Sequence, residues 1–160
     1  MIFAAVGTQV PFDRLVKALD SWAAAHPDVA VVAQTGEMKF ASEALQCHEF
    51  LAPEEFATCQ TNAELIVSHA GMGAILSAGM LAKPLIVMPR RHALGEHRND
   101  HQMATARRFE GRPGIYIAWD EDELVSLLNR HSDLPAAPEM SPFATPELLA
   151  AISDFIGCKD

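Results

Sequence analysis

A glycine-rich segment, Ser68-His69-Ala70-Gly71-Met72-Gly73, lies between a strand-like apolar run and a helix-like stretch. Glycines let a ligand approach the backbone closely, and the first N–H groups of a helix are unpaired, which suits a phosphate or diphosphate. A tight turn with close helix–sheet packing explains the two glycines equally well. NAD binding is disfavoured, because Leu76 replaces the third glycine of the dinucleotide motif and Gln34, not an acid, closes the second strand.

Residues 90–102 concentrate arginine, histidine, carboxylate and amide side chains. Such a density of donors and acceptors suits a polyhydroxylated, anionic ligand, although a solvated loop with a helix cap is the alternative. His97 and His101 are four residues apart and would share a face if both lay on a helix. A zinc site is disfavoured, because no further ligand lies at a characteristic interval and HExxH is absent.

Two other groups of residues are candidates for chemistry. Gly7-Thr8-Gln9 follows the first apolar run and offers a hydroxyl and amides to a phosphate, although a simple turn between strand and helix explains it too. Ser68 and His69 are sequence neighbours, and neighbours on a strand are expected to point to opposite sides. No GxSxG motif is present, so nucleophilic catalysis has little support.

Short apolar runs alternate with helix-like stretches along the chain. Strands are predicted at residues 2–6, 29–33, 48–51, 65–67, 84–88 and 114–118. Helices are predicted at residues 12–25, from 53 onward, and at 72–81, 98–109, 120–129 and 147–156. This alternation predicts an α/β, Rossmann-like, three-layer domain with a parallel sheet of about six strands. Ligands of such sheets bind outside the carboxyl ends of the strands, which nominates loops 7–12, 34–38, 68–73 and 89–102.

Length and composition fit one globular domain. The chain has 160 residues, 49% of them hydrophobic, and a formal charge of −9 from 12 basic and 21 acidic residues. Such an acidic chain is a poor candidate for sequence-independent binding to nucleic acid or an anionic membrane. We assign residues 1–131 to the ligand-binding domain. Residues 132–160, which begin with a proline-rich connection, are expected to end in a helix packed on the same domain.

The start of the chain lacks the basic and apolar regions of a signal peptide. Three scattered cysteines, Cys47, Cys59 and Cys158, form no CxxC motif, which favours reduced thiols in the cytoplasm. Residues 65–82 contain no charged side chain, but glycine, serine and histidine interrupt them. We therefore expect a buried strand and helix there, and not a membrane span.

Five motifs occur in order along the chain. They are residues 7–15 (GTQVPFDRL), 48–51 (HEFL), 68–73 (SHAGMG), 83–90 (KPLIVMPR) and 96–102 (EHRNDHQ). Together they resemble the glycosyltransferase family 28 C-terminal domain over about residues 1–128. The nearest resemblance is to the PssE type, the donor-binding subunits of two-part bacterial exopolysaccharide transferases.

The resemblance implies the C-terminal, nucleotide-binding half of a GT-B enzyme. It implies a UDP-sugar donor, transfer with inversion, and no required metal or other cofactor. The acceptor-binding half, with the membrane contact, would be a separate PssD-type chain. The protein would then be cytoplasmic and peripheral to the inner face of the membrane. A surface built for such a partner could also self-associate into a homo-oligomer when the partner is missing.

Site residues follow from the same resemblance. The diphosphate would be held by Thr8 and by the turn at Gly71, Met72 and Gly73. The donor sugar or nucleotide would be held by His69, Arg90, Glu96, Asn99, Asp100, His101 and Gln102. Many family members carry a ribose-binding glutamate where this chain has Ser77, so we hypothesise that Glu96 or a backbone group replaces it. The general base is expected on the partner, and no catalytic residue is assigned.

Two other functions remain open from the sequence. One is a nucleotide-sugar-binding regulatory subunit that has no turnover of its own. The other is a metal-dependent hydrolase that uses His92, His97 and His101. Calorimetry with UDP and UDP-sugars, with and without a partner chain, separates the first from a transferase. Elemental analysis of the purified protein tests the second.

Overall fold

The computed structural model describes residues 1–8, 10–38 and 40–157. Its strands form one parallel sheet in the order β3-β2-β1-β4-β5-β6. In chain order they are β1 (Ile2–Ala5), β2 (Val31–Gln34), β3 (Gln46–His48), β4 (Leu65–His69), β5 (Leu85–Met88) and β6 (Ile115–Ile117). The predicted six-stranded parallel sheet is confirmed.

The helices of the domain cover both faces of the sheet. They are α1 (Asp13–Ala25), α2 (Pro53–Asn62), α3 (Met72–Met80), α4 (His101–Phe109) and α5 (Glu121–Leu128). Side chains of α1 and α5 pack in one apolar cluster with Ile2 and Ala4 of β1. Side chains of α2, α3 and α4 pack in a second cluster with Phe3 and Ala5 of the same strand. Successive residues of a strand face opposite sides, so a strand with helices on both faces is apolar throughout.

The chain reverses its winding direction between β1 and β4. From β1 it runs through α1 to β2 on one side, and from β4 through α3 to β5 on the other. The two loops that leave β1 and β4 therefore diverge at the carboxyl edge of the sheet. Such a switch point opens the crevice in which open α/β sheets bind ligands.

Several element boundaries differ from the prediction. The third strand ends at His48 and does not run from 48 to 51. Helix α4 begins at His101 and not at Arg98, because a left-handed turn at Gly95 (φ 69°) precedes it and Asn99 Oδ1 accepts the N–H of His101 at 3.3 Å. Residue 97 therefore lies before the helix that begins at His101, as in the prediction, and the two histidines do not share a helix face.

The connection after α5 first follows the domain and then leaves it. The Tyr116 hydroxyl donates to Pro135 O at 2.7 Å, and the Met140 N–H donates to Gly79 O at 3.0 Å. The last helix, α6 (Pro146–Ile156), buries none of its residues, and Phe155 is 90% exposed. The expected packing of this helix on the domain is not found, because α1 to α5 already cover both faces of the sheet.

No helix in the described ranges combines the length and the apolar character needed to cross a lipid bilayer. Cys47 and Cys59 are free thiols, while Cys158 lies outside the described residues.

Candidate functional site

A cleft of about 540 Å³ opens at the carboxyl edge of the sheet, beside the switch point. It is bounded by the ends of β1, β2 and β4 and by parts of α2, α3 and α4. The lining residues are Ala5, Gly7, Thr8, Gln34, Phe56, Gln60, Ile66, Ser68, His69, Gly71, Gly73, Ala74, Ser77, His97, His101 and Gln102. None of these is an aspartate or glutamate, although the chain as a whole carries a charge of −9. The cleft therefore presents no carboxylate that would repel an anionic ligand.

The start of α3 faces this cleft with unpaired amides. Gly71 is the N-cap residue, and no side chain caps the helix. Within the described part of the chain, the N–H groups of Met72, Gly73 and Ala74 have no acceptor. Partial positive charge at a helix N-terminus favours anions there. The Met72 side chain is 48% exposed and lies outside the cleft lining, so this residue offers its backbone alone.

Gly71 and Gly73 of this turn differ in what a side chain would contact at each position. A Cβ on Gly71 would overlap the His69 imidazole, whereas a Cβ on Gly73 would meet nothing within 4 Å. Gly7, at the end of β1, has a φ of +84°, and a Cβ there would lie 2.9 Å from His69 Cε1. Gly7 and Gly71 are therefore required by the histidine ring between them, and Gly73 leaves open space on the cleft side.

The contacts of His69 indicate which of its nitrogens carries the proton. Ser68 Oγ donates its hydrogen to Ala5 O at 2.6 Å and also lies 3.2 Å from His69 Nδ1. Since the hydroxyl hydrogen is already used, Nδ1 must be the donor of the second bond, and Nε2 of the neutral ring faces the glycines. Burial lowers the pKa of His69, and the neighbouring Arg90 lowers it further.

The expectation that Ser68 and His69 point apart is wrong, because the two side chains are in contact. They still do not form a nucleophile and base, since the buried Ser68 hydroxyl donates to a backbone carbonyl and not to the ring.

Gln102 presents a donor to the cleft. It is 4% exposed, and its Oε1 accepts the Arg90 N–H at 3.1 Å. That bond fixes the orientation of the amide, so its NH₂ group is the part left for a ligand. His101, at the first position of α4, lines the same wall, and its ring lies edge-on to that of His97 with centroids 4.5 Å apart. Thr8 lies across the cleft, whereas Gln9 is outside the described residues.

Arg90 is buried and hydrogen-bonded to the backbone. Its guanidinium donates to four carbonyl oxygens at 2.5 to 3.2 Å and lies over the Phe12 ring at 4.5 Å. The carbonyls are those of Val6, Val10, Pro11 and Glu96. Burial lowers the pKa of Arg90 to about 10, so the group stays charged at neutral pH. Because both terminal nitrogens of its guanidinium are already engaged, Arg90 holds loops together and adds positive potential behind the cleft.

Glu96 lies outside the cleft lining, and both of its oxygens are engaged. Oε1 accepts from Arg14 Nε at 2.6 Å, and Oε2 accepts from Arg14 Nη2 at 3.0 Å and from the Arg91 N–H at 2.8 Å. This two-point pairing with an arginine is a strong and directional arrangement. The structure therefore does not place Glu96 where it could bind ribose hydroxyls. Ser77 of α3 does line the cleft.

Asn99 and Asp100 also lie outside the cleft lining. The Asn99 side-chain oxygen accepts from His101, both from its N–H and from its ring, and Asp100 Oδ1 accepts the His92 N–H at 2.9 Å. These bonds shape the turn that leads into α4.

Gln34, Gln60 and Ser77 are among the cleft residues that have no donor-binding role in the sequence-based assignment. Gln34 and Gln60 are 5% and 8% exposed and line the end of the cleft near α2, and Ser77 lies on α3. A signal existed for Gln60, which follows Phe56 by four residues and therefore lies on the inward face of α2. A polar residue on such a face is unusual and marks a possible site.

No group of three or more histidine, cysteine or acidic side chains is arranged to hold a metal ion within the ranges 1–8, 10–38 and 40–157. His92 Nδ1 instead lies 2.9 Å from His97 O.

Comparisons with known proteins bear on this cleft. Residues 1–140 match the family model described as the glycosyltransferase family 28 C-terminal domain. A stretch of 79 residues is 43% identical to the UDP-N-acetylglucosamine transferase subunit ALG13 of Eremothecium gossypii. That match covers 49% of this chain and 37% of the length of the relative.

Solved structures show the same fold. An NMR solution structure of ALG13 has a TM-score of 0.61 and 18% identity, with 94% of this chain and 93% of that chain covered. The crystal structure of MurG from Acinetobacter baumannii has a TM-score of 0.59 and 18% identity, with 99% of this chain and 50% of that chain covered. The domain therefore has the fold of the C-terminal half of GT-B enzymes.

Proposed function

Because the chain belongs to the glycosyltransferase family 28 C-terminal domain family, we propose that it is the donor-binding, catalytic subunit of an inverting UDP-sugar transferase. The observation that carries the proposal is the uncapped start of α3, whose free amides face a cleft without carboxylates. A diphosphate is the ligand group that this arrangement suits best. The transferred group is a hexose, and no metal ion is required.

The donor lies along the cleft with its diphosphate at the start of α3. The N–H groups of Met72 and Gly73 and the hydroxyl of Thr8 bind the phosphates. The sugar lies toward His101 and the free NH₂ group of Gln102, and the ribose lies near the Ser77 hydroxyl. Gln102 is held by Arg90, so it is positioned before the ligand arrives. Arg90, Asn99 and Asp100 act on the donor through the loop that they shape.

The reaction is displacement of UDP from the anomeric carbon by an acceptor hydroxyl. The bond from that carbon to the diphosphate oxygen breaks, and negative charge grows on the departing phosphate. The helix N–H groups stabilise this charge without reorganising, because the fold has already placed them. The acceptor proton goes to a general base, which we place on the partner chain. His69 orients the glycine turn.

The acceptor site lies on a separate, membrane-associated PssD-type chain. The name of the ALG13 relative describes a transferase subunit, and the structural match to MurG covers half of that chain, which supports a divided enzyme. The acceptor is a lipid-linked sugar in exopolysaccharide or glycolipid synthesis. The protein would work on the cytoplasmic side of the membrane, held there by its partner.

The main test is UDP binding to purified protein, measured by isothermal titration calorimetry. Gly73→Ala places a methyl group in the open space beside the helix amides, so UDP affinity should fall about tenfold or more while folding stability is kept. Ser126→Ala is the matched control, since it also adds an alanine to an exposed helix position, but on α5. Equal UDP affinity in Gly73→Ala and the wild type would contradict diphosphate binding at this turn.

A second test is transfer by the chain co-expressed with a PssD-type partner. UDP-glucose, UDP-galactose, UDP-glucuronic acid and UDP-N-acetylglucosamine are offered as donors, with and without EDTA. Transfer that persists in EDTA supports a reaction without a metal ion. Binding of UDP without transfer in any combination would favour the regulatory, nucleotide-sugar-binding subunit.

A further inference from the structure

A second cavity, of about 280 Å³, lies near the amino edge of the sheet, away from the donor cleft at the carboxyl edge. Its apolar lining includes Ile75 and Gly79 of α3, Phe109 of α4, and the first residues of β5 and β6, Leu85 and Ile115. We call it the amino-edge pocket. In the described ranges it has no lining residue in common with the donor cleft. Its volume is close to the lower end of the range for small-molecule pockets, roughly 300 to 1,000 Å³.

The connection after α5 forms a further wall of the amino-edge pocket, and two glycines make room for it. A Cβ on Gly114 would overlap the backbone of Ala137, and a Cβ on Gly79 would lie 3.0 Å from Met140 Cε. The Met140 N–H also donates to Gly79 O at 3.0 Å. A glycine inside a helix is destabilising relative to alanine, so its presence in α3 is explained by this close approach. The wall is therefore a fixed part of the fold.

Three cationic side chains border this apolar pocket. They are Lys83, Arg108 and Arg112, and none of them forms an ion pair within the described part of the chain. The described lining contains no aspartate or glutamate, and Glu110 and Glu139, which are sequence neighbours of lining residues, lie outside it. The C-terminal ends of α3 and α4 contribute partial negative charges of about one half each, which is less than the three positive charges. The border of the pocket is therefore electropositive and favours an anion.

The shape of the pocket favours a narrow ligand. Segment 137–140 crosses from Gly114, before β6, to Gly79 on α3, so the pocket is not an open groove. A helix of another chain, about 10 Å wide, could not lie in it without displacing that segment. An unbranched alkyl chain is narrow enough to enter, and its burial against the apolar lining would be favourable.

We propose that the amino-edge pocket binds a single fatty-acid molecule, an inference that goes beyond the proposed transferase function and is independent of it. The alkyl chain lies between α3 and α4, where it is removed from water. The carboxylate lies among the three cationic side chains, and a guanidinium binds a carboxylate through paired N–H groups. The site therefore selects an anionic amphiphile by both ends of the molecule.

The main test is an NMR titration of the ¹⁵N-labelled full chain with octanoate and decanoate, each below its micelle concentration. Backbone amide signals of Gly79, Phe109 and Gly114 should shift, whereas those of Gly71 and Gly73 in the donor cleft should not. Each buried methylene group increases affinity about fourfold, so decanoate should bind about fifteenfold more tightly than octanoate. Equal affinity for the two acids, or shifts confined to another surface, would overturn the proposal.

Arg108→Gln tests the cationic border of the pocket. This change should weaken decanoate binding about threefold to fivefold, because one of the charges that hold the carboxylate is lost. Arg107→Gln is the matched control, since it replaces an exposed arginine in the same last turn of α4 but outside the pocket lining, and it should stay within about twofold of the wild type. Octan-1-ol, which carries no charge, should bind equally well to all three proteins. Equal decanoate affinity in the two variants would count against the carboxylate site and overturn the proposal.

Two other occupants would give different results. If α6 of a second copy fills the pocket, the full chain will sediment as a dimer and decanoate will shift no pocket signals. If a membrane surface is the ligand, phosphatidylglycerol vesicles will bind the chain while monomeric decanoate does not. Either result overturns the proposal. UDP binding at the donor cleft is measured separately, so a failure of this inference leaves the proposed function standing.

Discussion

Arg90 and Gln102 are buried to nearly the same extent, 2% and 4% exposed, and they contact each other beside β5, yet they leave different groups for a ligand. Arg90 donates to four carbonyl oxygens of the protein. Gln102 uses its carbonyl oxygen on the Arg90 N–H and keeps its NH₂ group for the cleft. A polar side chain near a binding cleft is thus available only to the extent that the fold leaves its donors and acceptors unpaired.

Glu96, which lies outside the cleft, and the two glutamines Gln34 and Gln60, which line it, also differ in how many of their hydrogen-bonding groups are already used. Glu96 is paired with Arg14 and with the Arg91 N–H. Among the residues that the structure describes, the NH₂ group of Gln34 and the side-chain amide of Gln60 have no partner. The charged side chains of Arg90 and Glu96 therefore stabilise the loop, whereas amide and imidazole side chains line the cleft. Variants that remove or disturb one of these contacts at a time test the comparison.

The largest effect is expected for Arg90→Met. This change leaves four backbone carbonyls without their donor. The free energy of unfolding should therefore fall by about 3 kcal/mol or more. Chemical denaturation with urea measures the change. Arg98→Met, at an exposed position of the same loop, should differ from the wild type by less than about 0.5 kcal/mol. Similar midpoints for the two variants would show that the Arg90 hydrogen bonds do not hold the loops.

The two glycines of the α3 turn should respond in opposite directions. Gly71→Ala forces a methyl group against the His69 ring and should destabilise the protein by about 1–3 kcal/mol. Gly73→Ala has open space and a helical backbone, so it should be neutral or stabilising by up to about 1 kcal/mol. Thermal unfolding of the two variants makes the comparison. Equal destabilisation would contradict the placement of the His69 ring.

Glu96→Gln should reduce stability without reducing nucleotide affinity. The change removes a charge from the pairing with Arg14, and a loss of about 1–2 kcal/mol is expected. UDP affinity of the folded protein should stay within about twofold of the wild type, because Glu96 lies outside the cleft. Urea denaturation and calorimetry measure the two quantities. A large loss of UDP affinity with unchanged stability would restore Glu96 as a ligand-binding residue.

The smallest effect concerns the pH dependence of stability. The pKa of His69 is lowered in the folded protein by burial and by Arg90, so below about pH 6.5 the unfolded chain binds more protons at this site. Stability should therefore fall as the pH drops from 7 through 6.5, and this loss should be smaller in His69→Gln. Denaturation at several pH values measures the difference. If the free energy of unfolding changes with pH equally in both proteins, the pKa of His69 is not lowered by folding.

The element order and the location of the cleft were predictable from the sequence. Continuous apolar runs such as 2–6 and 84–88 are typical of strands covered on both faces, and their alternation with helices implies a parallel sheet. The carboxyl edge follows as the ligand site from the same topology. The glycine turn was found by its spacing. The start of α4 was missed, because a turn stabilised by the Asn99 side chain interrupts a helix-like pattern.

The roles of single polar residues were less predictable. The density of polar side chains predicts one ligand-binding cluster at residues 90–102. In the structure, Arg90 and Glu96 are engaged by Val6, Pro11 and Arg14, which are distant in sequence. No local pattern shows such partners. Gln60 was overlooked because a single glutamine in a helix is ordinary until its burial is known.

Local periodicity and motifs are sufficient to predict the parallel α/β sheet, the order of its elements, the glycine turn and the family. Which side chains keep free donors and acceptors depends on the tertiary structure. Hydrogen bonds between distant segments satisfy some buried groups, such as Arg90, and leave others, such as the amides of Gln34 and Gln60, facing the cleft. The tertiary structure also leaves α6 uncovered, since the other helices already bury both faces of the sheet.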